Sequence, residues 1–266
     1  GVRNSGPQRE MLRLRSLIFY VVFYGATALF LILGSPLLLG PRSLAMAGLR
    51  AHARTLLFLL RLTCGTRMRV RGAEKLLPGP VIVAAKHQAA WDTFALIPLF
   101  RDPALVMKNE LMSIPLYGWF SRKFGMIPVQ REARASALRA MLKAAKQRAA
   151  DGREIVIFPE GTRRPPGAPP RYLPGVVMLY EALGLPCVPV ALNSGLFWPR
   201  HSILRYPGTI TVEFLDPIPP GLDRESFARL LQERIETASA ALIAEAMAEP
   251  EPPPLPQAAS CKATAA

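Results

Sequence analysis

The hydrophobic and polar positions divide the chain into an apolar N-terminal part and a longer part of alternating short periods. Residues 1–16 are polar and basic. No charged residue occurs between Arg15 and Arg42; Leu17 to Leu33 is almost wholly apolar, and the apolar character returns at Leu37 to Leu39. A transmembrane helix needs about 20 apolar residues. The stretch is long enough, but Gly34, Ser35 and Pro36 should break or kink it. A cleaved signal peptide is the main alternative. The residues that follow lack a small-x-small cleavage site and continue into another apolar helix, which argues against it. A buried core helix is disfavoured by the lack of a polar face. Residues 43–63 read as a second helix, with Arg50, Arg54 and Arg61 on one stripe and Leu49, Ala53, Leu56, Leu57 and Leu60 filling much of the remainder. That pattern suits a helix in a membrane interface whose arginines reach lipid phosphates; an ordinary packed surface helix is the plainer reading.

From Thr66 the pattern changes to short β-rich runs alternating with helical stretches. The strands expected are Met68–Arg71, Val81–Ala85, Ala104–Met107, Met126–Gln130, Glu154–Phe158, Cys187–Leu192 and Thr209–Leu215. The helices expected are Trp91–Leu99, Pro115–Phe124, Arg134–Ala150, Gly175–Leu183 and Arg224–Ala248. Such alternation predicts an α/β fold, a mostly parallel β-sheet flanked by helices, carried behind an N-terminal membrane-anchoring helical pair. The organisation predicted is a basic segment and anchoring helices over 1–65, a catalytic domain over 66–248 and a disordered Pro/Ala-rich tail over 249–266.

Charge narrows the class of partner. The chain has 33 Lys+Arg against 19 Asp+Glu, a net charge of +14, and half its residues are hydrophobic. Such an excess points to a polyanionic partner. Within residues 1–75 the basic residues lie beside the apolar segments, opposed only by Glu10 and Glu74, which favours an anionic bilayer or a phosphorylated lipid. No zinc-finger spacing, RNP-like motif or long basic block supports nucleic acid. Cys64, Cys187 and Cys261 are scattered and form neither a disulfide framework nor a metal-type pair, so a catalytic domain in a reducing compartment is expected.

Candidate chemistry collects where strands end. His87 follows the strand ending near Ala85, Lys108 the one ending at Met107, Arg131 follows Gln130, and Glu160, Gly161, Thr162 and Arg163 follow Phe158. If these strands are parallel, their carboxyl ends share the edge at which open α/β sheets bind ligands. His87 and Asp92 lie five positions apart and could meet if the chain turns after His87 and Asp92 begins a helix. The carboxylate would then fix the imidazole tautomer and stabilise the imidazolium. An imidazole with pKa of about 6.5 can take a proton from an alcohol attacking a carbonyl, which is worth roughly 10²–10⁴ in rate. A lone histidine with a helix-capping aspartate is the alternative. Gly161 permits close backbone approach, Arg163 offers a planar fork for phosphate oxygens, and Glu160 could hold that arginine or contact an acceptor. A turn with a structural Arg–Glu pair would also fit. Lys108 and Arg131 are further phosphate-contact candidates, or else solvated surface charges.

Together these segments resemble the glycerolphosphate acyltransferase superfamily, and within it the bacterial 1-acylglycerol-3-phosphate acyltransferases. His87-Gln88-Ala89-Ala90-Trp91-Asp92 is similar to the H-x₄-D block, Gly125 through Arg131 to the second block, Phe158 to Arg163 to the F-P-E-G-T-R block, and Val188 to Leu192 to the closing V-P-V block. Four blocks in order, from about Gly72 to Pro217, are far more specific than any one. The resemblance implies transfer of a fatty acyl group from acyl-CoA or acyl carrier protein to the sn-2 hydroxyl of lysophosphatidic acid. His87 would be the base and Asp92 its orienting partner, with Lys108, Arg131 and Arg163 around the phosphate and Glu160, Gly161 and Thr162 shaping that pocket. No cofactor or metal is implied beyond the acyl donor. The implied location is the inner membrane, with the catalytic domain facing the cytoplasm. Two features depart from the pattern: Leu173 stands where a lysine is common, and the loop from Arg164 to Arg171 is Pro-rich.

Other readings compete. The acceptor could be another lysolipid, such as a lyso-ornithine lipid. A serine esterase would need a G-x-S-x-G elbow, which the chain lacks. A non-catalytic lipid-binding protein would suit the anchor and charge but gives no reason for His87, Asp92 and Phe-Pro-Glu-Gly-Thr-Arg together. No second His or Cys clusters with His87 as metal hydrolysis would require.

Overall fold

The structure, a computed structural model, describes residues 6–130 and 135–255. Helix α1 (Gly6–Leu33) ends at Gly34, a short 3₁₀ turn over Ser35–Leu38 carries Pro36, and α2 (Arg42–Cys64) runs back along α1. The antiparallel pairing is fixed by contacts at both ends. The Cys64 thiol donates to the Arg15 carbonyl, and the Phe30 ring stacks on His52 with centroids 4.5 Å apart. α1 presents apolar side chains both to the core and to the outside. Ser16 and Phe19 are buried, and Val22, Phe23, Phe30 and Leu31 pack on the core, while Leu14, Leu17, Ile18, Val21, Leu29, Ile32 and Leu33 are exposed.

The catalytic domain follows directly. Its strands are β1 (Thr66–Arg71), β2 (Ile82–Ala85), β3 (Ala104–Lys108), β4 (Ile127–Val129), β5 (Ile155–Ile157), β6 (Cys187–Leu192) and β7 (Gly208–Phe214). All seven expected strands form, with ends within two residues of the expected ones. They make one sheet in the order β1-β7-β6-β2-β5-β3-β4. Every neighbouring pair is parallel except β6 with β7, so β1 and β7 run against the other five. The interleaved helices are α3 (Asp92–Ala95), α4 (Tyr117–Phe124), α5 (Ala135–Ala150), α6 (Gly175–Leu183), α7 (Ser194–Phe197) and α8 (Arg224–Met247). The nine-residue helix expected over Trp91–Leu99 is only one turn of α3 followed by a 3₁₀ turn over Ile97–Leu99, because Pro98 cannot donate to a continued helix.

β2, β5 and β6 are buried throughout, as unbroken apolar runs in a two-sided parallel sheet should be. Alternation divides them between two cores. Val83, Ala85, Val156 and Val188 face the side of the hairpin; Ile82, Ala84, Ile155 and Cys187 face Met141 of α5, Leu179 of α6 and Phe227, Leu231 and Ile235 of α8. After α8, residues 249–255 have no regular structure, yet Pro253 is buried against the fold. This part of the expected tail therefore lies on the domain, and residues 256–266 are outside the described residues.

A buried arginine ties the hairpin to the sheet. Arg153 is 1% exposed and donates to the carbonyls of Asp102, Pro103, Phe124 and Gly125 at 2.8–3.2 Å. Its guanidinium also lies 3.3 Å from the Asp102 carboxylate, which takes a bidentate pair from Arg42 at the start of α2 at 2.7 Å. Replacing Arg153 with Met would strand those carbonyls and leave Asp102 with one cation. We expect Arg153→Met to lose about 3–5 kcal/mol of stability, read from denaturant unfolding in detergent.

Candidate active site

The carboxyl ends of β2, β3, β4, β5 and β6 share one edge of the sheet, and β2 lies between β5 and β6. Lys86 still pairs with β6 through its N–H to Val190 O at 2.9 Å; beyond it the chain leaves the sheet. A single carboxylate oxygen closes the turn that follows. Asp92 Oδ2 accepts the Gln88 N–H at 2.7 Å and the Ala89 N–H at 2.9 Å, and lies 3.0 Å from His87 Nδ1. The five-residue spacing works because Asp92 begins α3 and folds back over the turn. The Asp92 side chain is wholly buried, whereas His87 keeps about a tenth of its surface open. A proton on Nδ1 satisfies Asp92, which leaves Nε2 as the basic nitrogen.

The loop after β5 forms the second wall. The Phe158 ring stacks on His87 with centroids 4.2 Å apart and planes 23° from parallel. Arg164 N–H donates to the His87 carbonyl at 2.9 Å. Between them Gly161 turns the chain at φ +62°, a left-handed conformation that favours glycine, and its N–H donates to Phe158 O. Arg163 is partly exposed, and its carbonyl accepts from Arg200 at 2.9 Å. Thr162 is also partly exposed.

Glu160 departs from expectation. Its side chain has no exposed surface, and the carboxylate takes Lys86 Nζ at 3.0 Å, not the guanidinium of Arg163. The Glu160 carboxylate thus faces the Lys86 ammonium inside the fold and not an open pocket. Burial pushes the Glu160 carboxyl above its ordinary range, and Lys86 opposes the shift. Lys108 ends β3, two strands from β2 and so roughly 10 Å to the side; it is exposed and bonds to no described side chain. Arg131 lies outside the described residues. The structure thus brings His87, Asp92, Phe158 and the 160–164 loop together and leaves Lys108 at the rim.

Sequence reasoning missed three participants. Lys86 was hidden in the motif beside His87. Glu236 of α8 holds Lys86 at 2.7 Å across 150 residues, and Tyr172 donates to Glu236 at 2.9 Å. Nothing local to either marks that meeting. Among the described residues, no three His, Cys, Asp or Glu side chains gather as metal ligands.

The hairpin reaches the same edge. Phe19 of α1 meets Trp198 edge-on at 5.4 Å, and Phe23 packs on both Trp198 and Phe94, two residues beyond Asp92. Ser16 Oγ accepts the Arg205 N–H at 2.9 Å. Arg205, 4.0 Å over the Trp198 ring, completes the seam.

Comparison with known proteins places these features in a family. A family model described as Acyltransferase matches residues 67–193. The chain is 33% identical over 199 residues to the 1-acyl-sn-glycerol-3-phosphate acyltransferase of Pseudomonas aeruginosa, covering 75% of this chain and 76% of that protein. It is 26% identical over 247 residues to a 1-acyl-sn-glycerol-3-phosphate acyltransferase of Chlamydomonas reinhardtii, covering 88% and 73%. The crystal structure of the 1-acyl-sn-glycerophosphate acyltransferase PlsC from Thermotoga maritima has the same fold, with a TM-score of 0.72 at 22% identity over 87% of this chain and 97% of that one.

The turn is also supported from the end of β6. Gln88 Oε1 accepts the Gly195 N–H at 3.0 Å. A Cβ on Gly195 would stand 2.7 Å from Pro166 Cδ and 3.0 Å from Gln88 Cβ. Gly195→Ala must therefore push apart the histidine turn and the loop after β5. We expect it to cost about 1–3 kcal/mol, measured by chemical unfolding, and to shift the His87 ring resonances in NMR spectra.

Proposed function

Since the chain belongs to the acyltransferase family, we propose that it moves a fatty acyl group from a thioester to the sn-2 hydroxyl of lysophosphatidic acid, forming phosphatidic acid. The observation that carries the reading is the 3.0 Å His87–Asp92 contact beneath the Phe158–Arg164 loop. His87 Nε2 removes the hydroxyl proton as the oxygen attacks the thioester carbonyl, and Asp92 holds the tautomer and stabilises the imidazolium. The tetrahedral adduct collapses with cleavage of the C–S bond. The imidazolium returns its proton to the departing sulfur, so a free thiol leaves and the histidine is regenerated. No acyl-enzyme is needed, and neither a metal nor a cofactor enters the scheme; acyl-CoA or acyl carrier protein is the co-substrate.

Arg163, with Gly161 and Thr162 at the turn, is the proposed phosphate cradle, and Lys108 and Arg131 are its outer cations. Arg163 is partly exposed and adjoins Arg164, whose N–H holds the His87 carbonyl, which supports this assignment. The acceptor is membrane-borne, and the long apolar α1 supports membrane association. One face of α1 is packed against the domain at Ser16, Phe19 and Phe30, which favours a re-entrant hairpin over a span. We place the hairpin in one leaflet, entered from the cytoplasmic side of the inner membrane, with the exposed faces of α1 and of Phe58 and Leu62 in lipid.

Purified protein given lysophosphatidic acid and an acyl thioester should release free thiol only when acceptor is present. His87→Ala and Asp92→Asn should slow that release by about 10²–10⁴; a His87→Ala variant as fast as the wild type would remove the base assignment. Arg163→Gln should raise the acceptor KM by roughly 10–100-fold with kcat little changed. An unchanged KM would point to an acceptor without a phosphate, such as a lyso-ornithine lipid. Charge on the proposed lipid face tests the anchor separately. Burying one such side chain is worth about 1.5–3 kcal/mol, so Leu14→Glu with Leu17→Glu should move the protein out of the floating vesicle fraction while its unfolding midpoint stays put.

A further inference from the structure

We infer that Glu160 acts through Lys86 and not on the substrate: Lys86, Glu160 and Glu236, joined by Tyr172, form a buried charge tie that positions the histidine turn against the Phe158–Arg164 loop. The inference rests on the acyl-transfer reading and assigns positioning roles to Lys86 and Glu236, and to Tyr172 behind them.

Accessibility is the first argument. The Glu160 side chain is fully buried, and its second oxygen, Oε2, has no accessible surface. A group so enclosed does not meet a ligand entering by the His87 opening. Donor geometry is the second. Lys86 is 4% exposed, and its ammonium reaches Glu160 Oε1 at 3.0 Å and the two oxygens of Glu236 at 2.7 and 3.0 Å. An ammonium has three N–H groups, so this set occupies all of them. Tyr172 donates to Glu236 at 2.9 Å from the far side, and burial beside that carboxylate keeps its hydroxyl protonated.

Connectivity is the third argument. Lys86 precedes the base in sequence. Glu160 lies in the loop that supplies both Phe158 on the His87 ring and the Arg164 N–H on the His87 carbonyl. Glu236 anchors the same ammonium to α8, whose apolar face covers the sheet. One cation thus joins three segments just behind the base, in addition to the stacking and backbone contacts in front of it.

Charge makes the arrangement testable. Without Lys86 the nearest other cation to Glu160 is Arg164, whose Nε is 3.8 Å away. Glu236 faces Glu160 as a like charge, Tyr172 as a neutral hydroxyl, and the His87 backbone N–H as a donor. Burial already raises the Glu160 carboxyl, and Lys86 is the largest influence lowering it. Removing Lys86 raises it further. A raised carboxyl is tolerated while protonated and must be expelled or ionise unpaired as pH rises through its folded-state value. Lys86→Met should therefore be least impaired in acid and fail progressively as pH rises.

The experiment compares wild type, Lys86→Met, Glu160→Gln and the double variant Lys86→Met/Glu160→Gln, with lysophosphatidic acid and acyl thioester, between about pH 5 and 8. Lys86→Met should lose about 100-fold in kcat at the alkaline end, the scale of an unpaired buried charge, with the acceptor KM within threefold of wild type. The loss should shrink toward the acid end. Glu160→Gln alone should leave the acceptor KM unchanged. The double variant, which removes the charges of Lys86 and Glu160 and leaves Glu236 a quarter exposed and still bonded by Tyr172, should recover at least tenfold over Lys86→Met and lose its abnormal pH slope. Two results would overturn the inference: a double variant no better than Lys86→Met, or a Glu160→Gln variant whose acceptor KM rises tenfold at constant kcat, as a substrate contact would give. If Lys86→Met does not fold, the double variant, whose net charge equals that of the wild type, should still show a cooperative melt; a double variant that also fails to fold counts against the tie. The melting comparison needs no substrate. Wild type inactive on lysophosphatidic acid would thus sink the acyl-transfer reading while leaving the tie to be judged by itself.

Discussion

The active edge of this molecule depends on one buried oxygen, Oδ2 of Asp92. A carboxylate taken out of water is costly unless donors surround it. Here two backbone N–H groups and the imidazole converge on a single atom. The two amides belong to residues that have just left β2 and have no sheet partner. Asp92 therefore satisfies the backbone of the turn and orients the ring with the same contact. Geometry follows from that economy. With the turn fixed, the His87 carbonyl is presented to Arg164 and its ring to Phe158, and the loop after β5 is registered against the loop after β2.

The same edge explains how the N-terminal hairpin is built into the α/β domain. Phe94 follows Asp92 by two residues and lies under Phe23 of α1. Trp198, just after α7, meets both Phe19 and Phe23, and Arg205 covers the Trp198 ring while its N–H reaches Ser16. The aromatic seam therefore joins the helix that carries the apolar surface to the helix that carries the orienting carboxylate. A lipid acceptor held at that surface would lie beside the opening to His87 without leaving the apolar phase by more than its headgroup.

Much of this was legible in the sequence, for physical reasons that differ from element to element. The parallel strands were readable because strands buried on both faces must be short unbroken apolar runs, as Ile82–Ala85 and Cys187–Leu192 are. The pairing of His87 with Asp92 was readable once both were placed at a strand end. The break at Gly34 to Pro36 was readable because proline cannot continue a helix. The reversal of β7 against β6 was not, since the local sequence of Gly208–Phe214 does not say which way its neighbour runs. The partner of Glu160 was not readable either. Arg163 is nearer in sequence and of the right charge, but a burial pattern decides the matter, and Lys86 gives no sign of burial beyond its place after β2. Glu236 was invisible for a stronger reason: its meeting with Lys86 spans 150 residues and depends on how α8 crosses the sheet.

The net charge of +14 looked like a single property of the chain. The fold separates it into two populations with different physics. Some cations are held by acids or carbonyls and maintain architecture: Arg42 and Arg153 around Asp102, Arg71 on Glu245, and Lys86 between Glu160 and Glu236. In that population charge is largely offset by nearby acids, four cations against four carboxylates, and adds little to long-range attraction of an anion. Others, including Arg163 and Lys108, have no acidic partner among the described residues and lie along the carboxyl edge. Only this second population generates a field at the mouth, and it does so where the sheet topology already directs a ligand. The buried tie matters to that field as well. Because Lys86 engages Glu160, the carboxylate in the middle of the Phe158–Arg164 loop is paired from behind. Arg163, three residues further along, has no acidic partner among the described residues and is partly exposed.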